Sequence, residues 1–348
     1  MLYQVLRAKL FRDFNIKSLP FNYTISVTGR CNSRCSTCNI WKSEPKYELT
    51  FPEYEKIFKS LGNSPVWVTL SGGCPFLRKD LPEIAVLLDR TCHPKIINIP
   101  TNGIMTKRIL SDVRKIVQNV KAQVVINVSI DGIGKEHDKI RGVPGNFDKA
   151  MKTFSELRKI RANNFQLGIH TVISRFNYGK IGEIQELAKR LGADSYITEI
   201  AEERVELTTD STITPTAEQY EKAVSTLSTK PSNKLMTRIT QAFRKEYYSL
   251  VPKILREKQQ VIPCYAGFAS CQITPTGDVW ACCVRGDVMG NLRKTNYDFA
   301  KVWFSEKADR IRQSIRKGEC HCPLANAHYS NMLCDTGEIS KVAWNFFK

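Results

Sequence analysis

From residue 21 to residue 200 the chain repeats one pattern. A short segment alternating apolar and polar positions is followed by a longer one whose apolar residues recur every three to four positions. The alternating segments are 21–28 (FNYTISVT), 66–72 (VWVTLSG), 95–103 (KIINIPTNG), 122–131 (AQVVINVSID), 165–174 (FQLGIHTVIS) and 193–200 (ADSYITEI). Their period of two and β-branched content predict strands. Helices are predicted over 51–62, 80–90, 106–119, 146–162 and 180–191. Thr50 and Glu53, spaced as a capping box with Pro52 in the first turn, mark the start of the first. Five such units and a sixth strand predict parallel strands joined by right-handed helical crossovers, in an α/β sheet or barrel. Sites in such folds gather beyond the C-terminal ends of the strands. Each unusual stretch lies at such an end: cysteines 31, 35 and 38, then SGGC (71–74), TNG (101–103) and SIDG (129–132).

The flanks read differently. Residues 1–19 predict a helix with an apolar stripe of Leu2, Leu6, Leu10 and Phe14. Such a stripe is expected to dock on its own domain, with a peripheral membrane contact as the alternative. Residues 20–205 form the expected core, 206–260 a polar and then helical connector, and 261–340 a cysteine-rich α+β module. Thr276-Gly277-Asp278 reads as a hairpin turn within that module.

Composition narrows the class. Of 348 residues 42% are hydrophobic, enough for a sizeable core. No run of 18 apolar residues predicts a membrane span, and the N-terminus lacks a signal-peptide pattern, so a cytoplasmic protein is expected. A net charge of +18 suits an anionic substrate, though the charges are scattered, without a polybasic block. Residues 310–317 (RIRQSIRK) are the one candidate nucleic-acid stripe. Ile311 and Ile315, four apart, point instead to a buried helix face, so nucleic acid is not expected as a partner.

Twelve cysteines would be many for a reduced compartment if they were scattered, but they are clustered: three in the first forty residues, seven in the last ninety, and none between Cys92 and Cys264. A disulfide scaffold belongs to small secreted domains; two metal-binding clusters fit better. Cys31, Cys35 and Cys38 follow C-x3-C-x2-C. Structural zinc wants a fourth ligand, usually from a second pair, and none follows nearby. A cubane iron–sulfur cluster binds one thiolate per iron, so three thiolates leave one iron open to a small molecule.

This C-x3-C-x2-C loop after the first strand resembles the signature of radical S-adenosylmethionine (SAM) enzymes, over about residues 20–205. The resemblance implies a partial (β/α)6 barrel and a [4Fe-4S] cluster on Cys31, Cys35 and Cys38. Its open iron chelates SAM, which is cleaved reductively to a 5′-deoxyadenosyl radical that abstracts hydrogen from a substrate. SGGC stands where the family has GGE, which implies that Gly72, Gly73 and Cys74 approach SAM. Cys74 replaces the glutamate that meets its amino group, and a neutral thiol filling that place is the expectation, against an extra cluster ligand or a redox thiol. Ser129 and Arg141 match residues that hold the ligand, Arg141 through its carboxylate. Asn102 and Asn127 are expected to line the site. His170 is either a core residue or a substrate contact, and Glu199 and Glu202 are weaker candidates. Thr37 stands before Cys38 where the family has a larger apolar residue; Ile40 or Trp41 would compensate against the adenine.

Cys264, Gly277 and Cys282, with the surrounding CYAG…ITPTGDVWACC, resemble the opening of the SPASM/twitch extension, which carries auxiliary iron–sulfur clusters. The later cysteines are too few for its two-cluster form. The resemblance implies one auxiliary [4Fe-4S] cluster on Cys264, Cys282, Cys320 and Cys322, with Cys271 or Cys334 as substitutes and His321 or His328 less favoured. Cys92, Cys271 and Cys283 read otherwise as buried thiols. An electron donor such as a flavodoxin or ferredoxin is implied, with an unidentified small molecule, glycan, lipid or peptide as substrate. The short segment before the first strand leans away from a peptide. Two other readings stand beside this one: a cluster-carrying homologue made inactive by Cys74, and a non-catalytic metal protein that binds nucleic acid.

Overall fold

The computed structural model describes residues 2–43, 45–228 and 235–347; residues 229–234 of the expected connector lie outside them. Helix α1 (Leu2–Phe14) precedes six parallel strands in sequence order: β1 (Asn22–Thr28), β2 (Trp67–Gly72), β3 (Ile96–Thr101), β4 (Gln123–Ser129), β5 (Phe165–Ile173) and β6 (Ser195–Ile200). Between them run α2 (Phe51–Leu61), α3 (Leu81–Cys92), α4 (Thr106–Asn119), α5 (Lys135–Arg141), α6 (Asn146–Leu157) and α7 (Ile181–Arg190). The periodicity identified every one of these elements except α5. That helix is seven residues long, too short to show a helical period. At the start of α2 the Thr50 N–H donates to Glu53 Oε2 at 2.7 Å, as the capping box requires.

After α8 (Ala217–Ser225) and α9 (Leu235–Glu257) come β7 (Ser270–Ile273), β8 (Asp278–Trp280) and β9 (Val288–Asn291). The hairpin turns at Gly277, whose φ of +89° favours glycine. Strand β7 pairs in parallel with β1, so one nine-stranded sheet runs β6-β5-β4-β3-β2-β1-β7-β8-β9. The cysteine-rich module thereby continues the sheet of the partial barrel. Four helices complete the chain: α10 (Phe299–Trp303), α11 (Glu306–Arg316), α12 (Ala325–Cys334) and α13 (Thr336–Phe347).

The two faces of the sheet differ. Tyr23, Ile25, Val27, Val68, Leu70, Ile97, Ile99, Val124, Ile126, Leu167 and Ile169 are fully buried under the helices. At positions of the other parity stand Asn22, Thr24, Ser26, Thr69, Ser71, Asn98, Asn127, Ser129, Gly168, His170 and Ser195, at matched or neighbouring levels. A closed barrel of this kind is filled with branched apolar side chains. This concave face is mostly polar instead, with Val125, Val172 and Ile197 among the apolar exceptions, a chamber lining rather than a core. Its end nearest the strand starts is covered by α12: Asn22 Nδ2 donates to Asn326 Oδ1 and Ser330 Oγ, and Asn326 Nδ2 donates to Thr24 Oγ1.

One expectation fails, and one is met. Helix α1 does dock on the protein, but through Ala8 and Phe11; Leu2, Leu6 and Phe14 of the expected stripe are exposed. The helix carries apolar residues on more than one face, and the docked face lies over α12. In α11, Arg312 is 3% exposed, donates to the Gly267 carbonyl and lies over the rings of Phe11 and Trp303. The centre of the candidate nucleic-acid stripe is therefore core.

Candidate functional site

The loop after β1 carries Cys31, Cys35 and Cys38, and three neighbours fix its path. Backbone N–H groups of Arg34 and Ser36 donate to the carbonyls of Arg141 and Ile140 at the end of α5, at 3.0 and 2.8 Å. The Gly73 and Cys74 N–H groups donate to the carbonyls of Thr28 and Arg30, both at 2.8 Å. Asn102 Nδ2 donates to Asn32 Oδ1 at 2.7 Å and Ser33 Oγ at 3.0 Å.

These contacts give a structural task to three residues that the sequence assigned to the ligand. A Cβ on Gly72 would stand 2.0 Å from the Thr28 carbonyl oxygen, and one on Gly73 2.2 Å from that of Arg30. The glycines are needed for close approach, and what they approach is the backbone of the cysteine loop. Asn102 spends its amide donors on that loop, so it positions the thiols. Gly142, unremarked in the sequence, belongs with them: its Cβ would meet the Arg34 carbonyl at 2.2 Å.

Arg141 is not a surface ion pair. Its Nη1 lies 2.9 Å from Asp131 Oδ2, the side chains being 12% and 1% exposed, and its buried Nε has no partner. Its charge acts on Cys35 and Cys38. Ser129 ends β4 beside His170 of β5. Burial pushes the Cys38 thiol up to about 12, and Cys35 upward as well. Cys74, 2% exposed, is likewise raised to about 12, chiefly by burial and then by Cys31. Three thiols on one loop, with a buried guanidinium carrying a free donor beside them, suit a three-thiolate cluster and an anionic ligand group. Among the described residues no three ligating side chains converge on a point that would hold a single ion. A cubane spreads its thiolates over separate irons.

A second group forms in the C-terminal module. Cys264 interacts electrostatically with Cys282 and Cys320, and Cys322 with Cys282 and Cys264, so the four expected thiols lie together. Burial raises Cys264 to about 12 and Cys282 to about 11. Arg285 hydrogen-bonds with Cys320, and Gln260 Nε2 donates to the Cys320 carbonyl at 3.0 Å. The suggested substitutes are elsewhere. Cys271 lies on the helix-covered face of β7, near Tyr23 and Arg312, and Cys334 packs against α1 near Val5 and Lys9. His328 Nε2 bonds the Cys322 carbonyl at 2.8 Å and so braces a cysteine rather than replacing one.

One segment joins the two groups. Asn39, next to Cys38, donates its N–H to the Leu207 carbonyl and its Nδ2 to that of Thr208. On the other side, the Val205 and Glu206 N–H groups donate to the carbonyls of Val284 and Cys283. This stretch after β6 carries Glu202, Arg204 and Glu206, of which the sequence singled out only Glu202. Arg204 Nε donates to Glu202 Oε1 at 2.9 Å, and its Nη2 lies 3.4 Å from Glu199 Oε2. His170 Nε2 is 3.5 Å from Glu199 Oε1. Burial alone would raise Glu199, but His170 and Arg204 outweigh it and hold it at about 2. Burial wins at Glu202, which rises to about 7. A hydrophobicity pattern shows none of this, because the segment is irregular and its partners are distant in sequence.

Comparison with known proteins matches the two segments that carry these groups. The model of the radical SAM superfamily matches residues 25–188, and that of the SPASM iron–sulfur cluster-binding domain matches 264–323. The antilisterial bacteriocin subtilosin biosynthesis protein AlbA of Bacillus subtilis is 23% identical over 87% of this chain, which spans 65% of AlbA's length. An AdoMet-dependent heme synthase of Methanosarcina barkeri is 27% identical, covering 84% of this chain and 85% of the relative. The crystal structure of SuiB from Streptococcus suis bound to S-adenosylmethionine superposes with a TM-score of 0.63 at 17% identity, covering 94% of this chain and 77% of SuiB; at that identity the likeness is one of fold. With its cysteine loop at the end of β1 and its second cysteine group in the matched C-terminal segment, the chain carries a radical SAM domain and a SPASM iron–sulfur cluster-binding domain.

Proposed function

We propose that this chain is a two-cluster radical SAM enzyme in which Cys31, Cys35 and Cys38 hold the SAM-binding cluster and Cys264, Cys282, Cys320 and Cys322 hold one auxiliary cluster. The observation that carries the reading is the segment 205–208, hydrogen-bonded beside Cys38 at one end and beside Cys282 at the other. Through Glu206, which accepts from Ser26 and Gln272, it also borders the polar face of the sheet. When bound, the first cluster supplies the electron that cleaves SAM to a 5′-deoxyadenosyl radical, and the auxiliary cluster serves to accept an electron from the substrate or to position it.

The protein's own part is to position and shield. Asn102, Gly72, Gly73 and Gly142 set the path of the cysteine loop. Arg141, held by Asp131 and keeping one donor unused, suits a ligand carboxylate. Ser129 and Cys74 complete that wall; a neutral thiol adds no charge, so the ligand's amino group falls to backbone carbonyls, Ser71 or Thr69. Helix α12 closes the far end of the chamber against water.

Peptide maturation, heme synthesis and small-molecule oxidation are each in reach of such a chamber. AlbA is named for bacteriocin biosynthesis, and SuiB has been crystallised with a precursor peptide. A cytoplasmic setting suits the many free thiols, with a flavodoxin or ferredoxin as electron donor. No described helix is long and apolar enough to cross a membrane. The exposed Leu2, Leu6 and Phe14 of α1 leave a peripheral membrane contact open to it. The test is the electron paramagnetic resonance spectrum of the anaerobically reconstituted, reduced protein with and without SAM. A spectrum that changes with SAM in the native protein, and not in the Cys31/Cys35/Cys38→Ala variant, is expected. A spectrum indifferent to SAM would sink the reading.

A further inference from the structure

The net charge of +18 points to an anionic substrate, but the chamber does not share that sign. The end of β6 and the 201–208 segment after it set three carboxylates, Glu199, Glu202 and Glu206, against Arg204, whose guanidinium is already engaged by the first two. Glu202 is 4% exposed, and its Oε2 is buried without a partner. In the polar lining, Asn127 donates to Asn98, while its own Oδ1, in a side chain 5% exposed, also lacks a partner. The Asn127 oxygen accepts a hydrogen bond, the Glu202 oxygen accepts one when ionised, and leaving such atoms unpaired is costly.

Beside this rim lies a cavity of about 200 Å³. Its lining residues include Ile40, Trp280, Glu206 and Asp278. Glu206 is anchored by Ser26 Oγ at 3.1 Å and by Gln272. Trp280 adds one unpaired donor, its Nε1. At about 30 Å³ per water in the liquid, the space is that of a side group rather than a whole substrate. An aromatic face with carboxylates beside it is the chemistry that receives an ammonium or guanidinium group. The positive surface does not oppose this at close range, since its field is screened beyond about 8 Å at physiological salt.

We infer that the substrate carries a cationic side group, a protonated amine or guanidinium, which docks between Trp280 and Glu206, with Glu202 and Glu199 extending the acidic wall. This rests on the chamber being the substrate site, and it reverses the sign suggested by overall charge. The experiment uses anaerobically reconstituted full-length protein and three probes of one skeleton: butylammonium, 1-butanol and butyrate. Binding is followed by ligand-observed NMR. Butylammonium is expected to bind at least tenfold more tightly than the other two, and to weaken at least tenfold in Glu206→Gln and in Glu202→Gln. Iron content of the variants, unchanged from the native protein, shows that they fold. Butyrate binding as well as butylammonium, none of the three binding, or butylammonium indifferent to both substitutions would overturn the inference. 5′-Deoxyadenosine formed in the same samples separates this failure from failure of the radical reading, since cleavage of SAM does not depend on the sign of the side group.

Discussion

Alanine at Gly73 is expected to empty the first cluster site while sparing the second. Gly73 has an ordinary backbone conformation, so the effect is purely steric. The new Cβ would lie 2.2 Å from the Arg30 carbonyl oxygen, and contacts under 3.0 Å are essentially never seen. The two backbones must part by about 0.8 Å, a strain of the overpacking kind that costs about 1–3 kcal/mol. Parting weakens the Gly73 and Cys74 hydrogen bonds to Thr28 and Arg30, worth about 0.5–1.5 kcal/mol each. A combined loss of about 2–4 kcal/mol falls on the loop that presents Cys31. Iron and sulfide per chain, measured after anaerobic reconstitution and desalting, should fall from about eight to about four. Gly179→Ala is the control, because nothing lies within 4 Å of its Cβ. A Gly73→Ala protein that keeps about eight irons and releases them to a chelator no faster than the control would refute the reasoning.

Three more outcomes follow from the same geometry. Asn102→Ala removes both donors from Asn32 and Ser33, and a loss of about 1–2 kcal/mol should speed release of the first cluster to a chelator by roughly tenfold. Cys282→Ala should leave about four irons and intact SAM binding, whereas Cys271→Ala and Cys334→Ala should keep about eight. His137, fully buried and accepting the Asp131 N–H on Nδ1, is lowered by burial from 6.5 to about 4. Between those values the unfolded chain binds a proton that the folded one does not, so stability falls as pH drops below 6.5. Denaturant titrations at pH 7.5 and pH 5 should show the native protein losing about 2 kcal/mol more than His137→Asn; equal losses would contradict the assignment.

Much of the barrel was legible because each strand obeys a period of two under amphipathic helices, and both signals are local. The cysteine loop was legible for the same reason: its spacing is contained in eight residues. What stayed hidden depends on contacts distant in sequence. Strand β7 is only four residues long, and its parallel pairing with β1 joins residues about 250 apart. The stripe of α1 was read correctly as apolar and wrongly as the docked face, since Ala8 and Phe11 mark a second face that periodicity does not rank against the first. Gly72 and Gly73 announced a close approach, but a glycine cannot say what approaches it. The acidic rim escaped because irregular segments have no period, and because the net charge of the whole surface says nothing about one concave wall.

The most direct test of the central claim is whether this protein makes 5′-deoxyadenosine. Reconstituted protein, reductant and SAM would be incubated without oxygen and the products separated by liquid chromatography, beside the Cys31/Cys35/Cys38→Ala variant. The account predicts 5′-deoxyadenosine and methionine from the native protein and neither from the variant. A native protein that holds both clusters and binds SAM yet forms no 5′-deoxyadenosine, with Cys74→Glu restoring it, would contradict the claim that this chain is itself a radical enzyme.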